Sequence, residues 1–437
     1  MIKLLLIKNG YVYDPLNEID GEKVDIAIKN GKIVEESQIN PLEAKVIDAT
    51  NKIVMPGGID IHTHICGYAI NAGRLYRPED GHLRLEPRTH IRRSGSGYTV
   101  PSTFVTGYRY AIMGYTTLCE PAMPPLLARH THEELNDTPI VDTAAFTLLG
   151  NNWIVAQYLK RGEYERCAAF VAWMLRATKG YCIKLVNPGG TEAWAWRSNV
   201  KDLNDPVPYF DITPAELIRG LAIINEMLKL PHSIHVHTNQ LGVPGNFEIT
   251  IGSFDATKDV KVSSIRGKRK QSTHVTHAQF SAFGGDSWKN FETKADAIAK
   301  YVNNHPYVTI DMGQVIPGET TTMTADGPLE YNLHSLNHLK WINQGIELET
   351  GGGLVPFTYS RVSHVNSIQW AIGLEIALLI EDPFQVYLST DHPNAGRARD
   401  FYATFSRFNS NGFSVRNSIF CRCAWMKLRK RIWHPCP

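Results

Sequence analysis

Cysteine is scarce in this chain: seven among 437 residues, scattered and without a Cys-x-x-Cys pair. That scarcity excludes a disulfide framework and a cysteine-bound cluster, and it fits a reducing cytoplasm. An excess of charge of one sign is also missing. Lys and Arg total 45 against 43 Asp and Glu, a net charge of +2, so nothing argues for nucleic acid as a partner. No glycine-rich phosphate turn of the GxGxxG or GxxxxGK kind occurs. The Met1–Leu6 run is too short for a leader or a membrane span and passes straight into Lys8, Asn9 and Gly10, so no membrane association is expected. What remains is an ordinary globular composition, 43% hydrophobic and 20% charged, enough for one large domain or two medium ones.

The most informative stretch runs from Pro56 to His64: a Pro-Gly-Gly turn, a short strand, then His62 and His64 separated by one residue. Side chains alternate along a strand, so the two imidazoles share one side while Ile59 and Ile61 take the other. Such a pair at a strand end is a ready set of metal ligands. Alone, it is better read as two polar residues on a half-exposed strand. Its weight comes from the ligand types on later strands.

Before this stretch, residues 2–55 alternate short apolar runs with Asn-Gly and Asp-Gly turns, which predicts a small antiparallel sheet of hairpins. From residue 100 onward, strand-like and helix-like segments alternate. Phe104–Met113 and Cys167–Thr178 have helical spacing. Thr213, Pro214 and Glu216 form a capping box that opens a helix with Leu217, Leu221, Ile224 and Leu228 on one side. Ile368–Ile380 is apolar nearly all round, which predicts a well-buried helix. Alternation over roughly 300 residues predicts an α/β fold with a parallel sheet, best closed as a (β/α)8 barrel; an open doubly wound sheet is the alternative.

Four further sites resemble the first, each with an ionisable residue near the carboxyl end of a predicted strand. Lys184 lies between Ile183 and Leu185. A buried lysine must pair, snorkel or lose its charge, and a neutral amine can add carbon dioxide to become an anionic oxygen ligand. His235 and His237 face inward together, with His237 nearer the strand end. His274 and His277 are three apart, so on a strand only one reaches the centre; His277 is preferred and His274 stays open. Asp391 closes an apolar strand, where it can bind a metal and accept a proton. His-x-His, Lys, His, His, Asp on successive strands points to a metal-dependent hydrolase.

In that ligand order the chain resembles the amidohydrolase superfamily, and within it the A subunits of formylmethanofuran dehydrogenases. The stretches that carry the resemblance are Ser94–Tyr98, Gly114–Pro125, Gly150–Trp153, Lys184–Trp196, Asp205–Pro214, Thr320–Pro328, His364–Glu375 and Thr390–Asn394. It implies a (β/α)8 barrel over 56–396 with a flanking β-sandwich begun by residues 1–55. It also implies two zinc ions: His62, His64 and Asp391 on one, His237 and His277 on the other, a carboxylated Lys184 between them. The implied reaction joins or splits formate and the amine of a methanofuran-type coenzyme, with Asp391 as the catalytic proton carrier and further subunits supplying redox chemistry. A similar subunit of bacterial formyltransferase/hydrolase complexes releases formate by the same chemistry. A non-catalytic scaffold subunit is the alternative of another class; loss of a ligand position would mark it, and none is lost.

The resemblance stops at Arg397. Residues 397–437 form a basic, cysteine-containing tail without helical period, which is expected to be the product of a frameshift or truncation rather than a basic arm. Asn187 and Asn239 follow ligand strands and are candidate substrate-binding residues. Trp194 and Trp196 are candidate pocket residues, with ordinary packing equally expected. His130-x-His132 mimics the metal pair on an exposed helix start, and Arg266–Lys270 is expected to be a solvated loop.

Overall fold

A computed structural model of the chain describes residues 4–81, 97–263, 269–343 and 352–397. Most of the basic tail, of the Ser94–Tyr98 stretch and of the Arg266–Lys270 cluster lies outside the described residues. One compact unit ends at Gly58 and a second begins at Ile59. Among the described residues no helix is long and apolar enough to cross a membrane.

The first unit holds two small sheets. Lys32–Val34, Ile26–Lys29, Leu4–Lys8 and Lys45–Asp48 lie in that order in one; Ile19–Lys23, Tyr11–Asp14 and Ile53–Val54 form the other. Asn30 and Gly31, both at positive φ, make the tight turn that two antiparallel strands require. The expectation of hairpins alone needs correction. Leu4–Lys8 pairs in parallel with Lys45–Asp48, and Tyr11–Asp14 with Ile53–Val54. In each case the intervening residues supply the long return that parallel pairing demands.

The second unit is built on eight strands: β1 Gly58–Asp60, β2 Tyr115–Met123, β3 Asp142–Leu148, β4 Ile183–Val186, β5 Ile234–His237, β6 Thr273–Val275, β7 Val308–Asp311 and β8 Val386–Tyr387. Each lies beside its predecessor, and from β2 to β8 adjacent strands run parallel. Two backbone bonds join the ends of the ring: Asp391 N–H donates to His62 O at 3.0 Å, and His64 N–H to His392 O at 2.7 Å. The buried Asp60 carboxylate fastens the same seam by accepting from the Thr390 hydroxyl at 2.6 Å and the Thr390 amide at 3.3 Å. The sheet is therefore a closed barrel.

Ile183, Leu185, Ile234 and Val236 share one core cluster with Leu217, Leu221 and Ile224 of helix Pro214–Met227, so alternate strand residues face the helix layer. That helix starts on a complete capping box between Thr213 and Glu216. Helix His364–Leu379 is not buried all round. Gln369, Ile372, Gly373 and Ile376 form its buried stripe, and most of its other residues are half-buried. Between β7 and β8 the chain makes an excursion that the strand–helix alternation does not predict: an antiparallel sheet of Gly318–Thr324, Gly353–Tyr359 and Ile342–Asn343, with helix Gly327–Asn337 beside it.

Candidate metal centre

All six candidate ligands open onto one cavity: His62, His64, Lys184, His237, His277 and Asp391. Each follows or ends a barrel strand except Lys184, which projects from within β4. The rings pack edge to face, with centroids 5.3 Å apart for His62 and His64, 5.0 Å for His62 and His277, and 4.7 Å for His237 and His277. Asp391 Oδ1 lies 3.4 Å from His62 Nε2 and 3.5 Å from His64 Nε2, so three donor atoms converge on one point. This is the donor set of a buried metal site.

Two orphaned atoms mark where the protein's own hydrogen bonding stops. The Lys184 amine is buried and has no hydrogen-bond partner, and neither has His277 Nδ1. Burial brings the Lys184 amine down to about 7, with Asp311 and Asp391 opposing, so much of it is uncharged near neutral pH. Burial also pushes His62, His237 and His277 well below the usual histidine range, reinforced by Lys184 and neighbouring histidines. Neutral imidazoles are what a cation requires. Burial lifts Asp391 to about 7 against the pull of His64. Among the histidines His64 runs the other way: burial lowers it, but Glu120 and Asp391 outweigh that and raise it, so the fit to a metal rests on the converging donor atoms and the unpartnered Lys184 amine and His277 Nδ1.

One histidine of each pair lines the cavity, His237 of the first and His277 of the second. His235 and His274 do not line the cavity and lie nearer the amino ends of their strands, although His235 with His62 and Asp311 makes a second buried group of donor atoms close enough together to hold a cation. His274 bonds Thr309 Oγ1 at 2.9 Å and Asp311 Oδ2 at 2.8 Å. His235 Nε2 meets His62 Nδ1 at 2.9 Å, and its Nδ1 meets His232 Nε2 at 3.3 Å. Of His274 and His277, only His277 lines the cavity. Strand β6 ends at Val275, and His277 takes a left-handed conformation with φ 39°, so the chain leaves the strand before His277, which lines the cavity while His274 bonds Thr309 and Asp311.

That turn depends on Gly313. A Cβ at Gly313 would stand 2.7 Å from His277 Cα, and its own φ is +59°. Gly313→Ala is therefore expected to displace His277 and lower whatever metal the site binds, read by elemental analysis beside a circular-dichroism check of folding.

Three residues of the site are not among the sequence candidates. Glu120, on β2, meets His64 Nδ1 with Oε1 at 3.2 Å and accepts from the Ile65 and Cys66 amides with Oε2, which aims His64 Nε2 at Asp391. Asp311 accepts from the His277 amide at 2.9 Å and from the Ser389 hydroxyl. Asp326 Oδ2 meets His237 Nε2 at 2.9 Å. Glu120 does carry a signal in the sequence: like Lys184, it interrupts an apolar strand.

Asn187 and Asn239 do not line the cavity. Asn239 donates to Asn187 Oδ1 at 2.7 Å, and Asn187 donates to Asp326 Oδ1 at 3.0 Å, so the two asparagines brace the carboxylate that holds His237. Trp194 and Trp196 are also off the cavity, donating to Asn343 and Glu192. His132 bonds the Thr178 carbonyl on helix Ala128–Asn136, and His130 is exposed.

The rest of the cavity lining is largely apolar, with Leu148, Leu241, Phe280, Leu333 and Phe357 among it, interrupted by polar residues such as Thr322, Glu330 and Asn394. Among the described lining residues, Lys184 is the sole lysine and arginine is absent. A polar reacting group on an apolar arm fits this division.

A family model described as amidohydrolase family matches residues 45–414. Protein FwdA of Methanocaldococcus jannaschii is 58% identical over 391 residues, covering 90% of this chain and 68% of that protein. The A subunit of the formyltransferase/hydrolase complex Fhc of Methylorubrum extorquens is 34% identical over 402 residues, covering 90% and 70%. The crystal structure of that formyltransferase/hydrolase complex with methylofuran superposes with a TM-score of 0.82 at 33% identity, over 92% of this chain and 71% of that one. The chain belongs to the amidohydrolase family, in the group that includes Protein FwdA and the A subunit of the formyltransferase/hydrolase complex.

Proposed function

We propose that the chain is the zinc-dependent subunit of a formylmethanofuran dehydrogenase-type complex that forms or hydrolyses the N-formyl amide bond of a methanofuran-type coenzyme. The observation that carries this reading is the buried, unpartnered Lys184 amine among four histidines and an aspartate, in a largely apolar cavity. The relatives add the substrate class: one is a formyltransferase/hydrolase subunit whose complex has been crystallised with methylofuran.

His62, His64 and Asp391 would hold one zinc, His237 and His277 the other, and Lys184, carrying carbon dioxide as a carbamate, would bridge them. When bound, the ions supply the Lewis acidity that activates water near neutral pH and polarises a formyl carbonyl. Asp391 takes the proton from the attacking water and returns it to the departing amine, so an N-formyl amine and water become formate and amine. In reverse, the same residues condense the two. Glu120 and Asp326 keep His64 and His237 in register throughout. The reading places the chain in the cytoplasm beside partner subunits, which would make or consume formate by redox chemistry for which its scattered cysteines offer no cluster site.

The test is turnover. Zinc-loaded full chain is expected to release formate from an N-formyl amine carrying an apolar arm, such as N-benzylformamide, with activity lost on chelation. Absence of turnover in folded protein holding two zinc ions would overturn the reading and leave a scaffold subunit.

A further inference from the structure

Glu330 is fully buried, yet it lines the same cavity as the candidate ligands, from the first turn of helix Gly327–Asn337. Its two carboxyl oxygens are in different circumstances. Oε2 lies 2.9 Å from the Thr322 hydroxyl, which also lies 2.9 Å from the Val355 carbonyl; Oε1 has no partner.

A hydroxyl carries one proton, and a carbonyl can only accept. Both contacts of Thr322 are satisfied in one way: Thr322 donates to Val355, and a protonated Glu330 donates from Oε2 to Thr322. Oε1 is then the carbonyl oxygen of a neutral acid, an acceptor with nothing to accept. Burial, joined by Asp326 and Asp391, raises the Glu330 carboxyl well above the usual range, in keeping with this hydrogen-bond count. The acid also has little room to turn away, because it packs against Gly353, where a Cβ would meet its Cγ at 2.6 Å.

We infer that Glu330 is a substrate-binding residue whose neutral carboxyl accepts a hydrogen bond, through Oε1, from the N–H of a secondary formamide or of the amine it yields. This rests on the deformylation reading and deepens it by naming the substrate class. A secondary formamide has one N–H to give, and a tertiary formamide has none. Holding the N–H also fixes which side of the nitrogen faces Asp391 for protonation.

The test compares N-benzylformamide with N-benzyl-N-methylformamide on zinc-loaded full chain, as the wild type, Glu330→Met and Glu330→Gln. The readout is the ratio of kcat/KM for the secondary over the tertiary amide. Glu330→Met is expected to lower that ratio about tenfold or more, chiefly through KM. Glu330→Gln, whose NH2 replaces the donated proton and whose carbonyl replaces Oε1, is expected to restore it. Partial loss of folded protein would lower both activities together, so the ratio isolates the contact. An unchanged ratio in Glu330→Met, or a Gln variant behaving like Met, overturns the assignment. Should the wild type turn over neither amide, the deformylation reading falls, and calorimetric binding of the same two compounds still decides Glu330. A preference for the secondary amide that Glu330→Met abolishes supports it, and absence of that preference overturns it.

Discussion

Replacing Lys184 with alanine is expected to leave a folded barrel that has lost its metal and its turnover. The expectation follows from two facts. The amine is buried without a partner, so its removal breaks no hydrogen bond on which folding depends. As a carbamate it would be the one ligand shared by both ions, so its removal weakens both sites. The loss of activity should exceed the ten- to hundredfold typical of an outer hydrogen-bond partner, reaching on the order of a thousandfold. Elemental analysis should read about two zinc per chain in the wild type and fewer than one in the variant. Soaking Lys184→Ala with acetate should restore part of the metal content, because a small carboxylate can enter the vacated space. Unaltered metal content would show that Lys184 is no ligand.

Asp391→Asn is expected to have the second largest effect, of a different kind. The substitution preserves shape and the Asn394 contact at 3.0 Å while removing the base. kcat should fall by about a thousandfold, within the range lost with a general acid–base group, and KM should change little. A proportionate rise in KM with kcat preserved would assign Asp391 to substrate binding instead.

Much of this site is legible from residue order, for reasons that can be stated residue by residue. His62 and His64 both reach the cavity, although β1 ends at Asp60 and it is the polypeptide after the strand that carries them there. Lys184 stands out because Ile183 and Leu185 flank it, and burial of all three follows. Glu120 carries the same signature between Leu118 and Met123 yet escapes assignment, since a carboxylate that positions a ligand looks no different from one that is a ligand. His277 lines the cavity by a route strict alternation does not describe, since alternation assumes the strand continues and β6 stops at Val275. The excursion between β7 and β8 is invisible for another reason. Its strand Gly318–Thr324 buries Thr320, Thr321 and Thr322, and threonines do not announce a buried face as valines would. With that sheet unseen, Glu330 has no cavity to belong to.

The seam of the barrel has a consequence for thermodynamics. His62 and Asp391, which converge on one cation site, are also the residues whose backbones bond across the join of the first and last strands, and His64 bonds there to His392. Occupancy and closure are therefore linked quantities: whatever free energy an ion gains from the closed ring it returns to the ring as resistance to opening, about 2.7 kcal/mol at a hundredfold excess over Kd. An ion held there would act as a clasp on a cylinder, resisting any parting along the seam between its first and last strands.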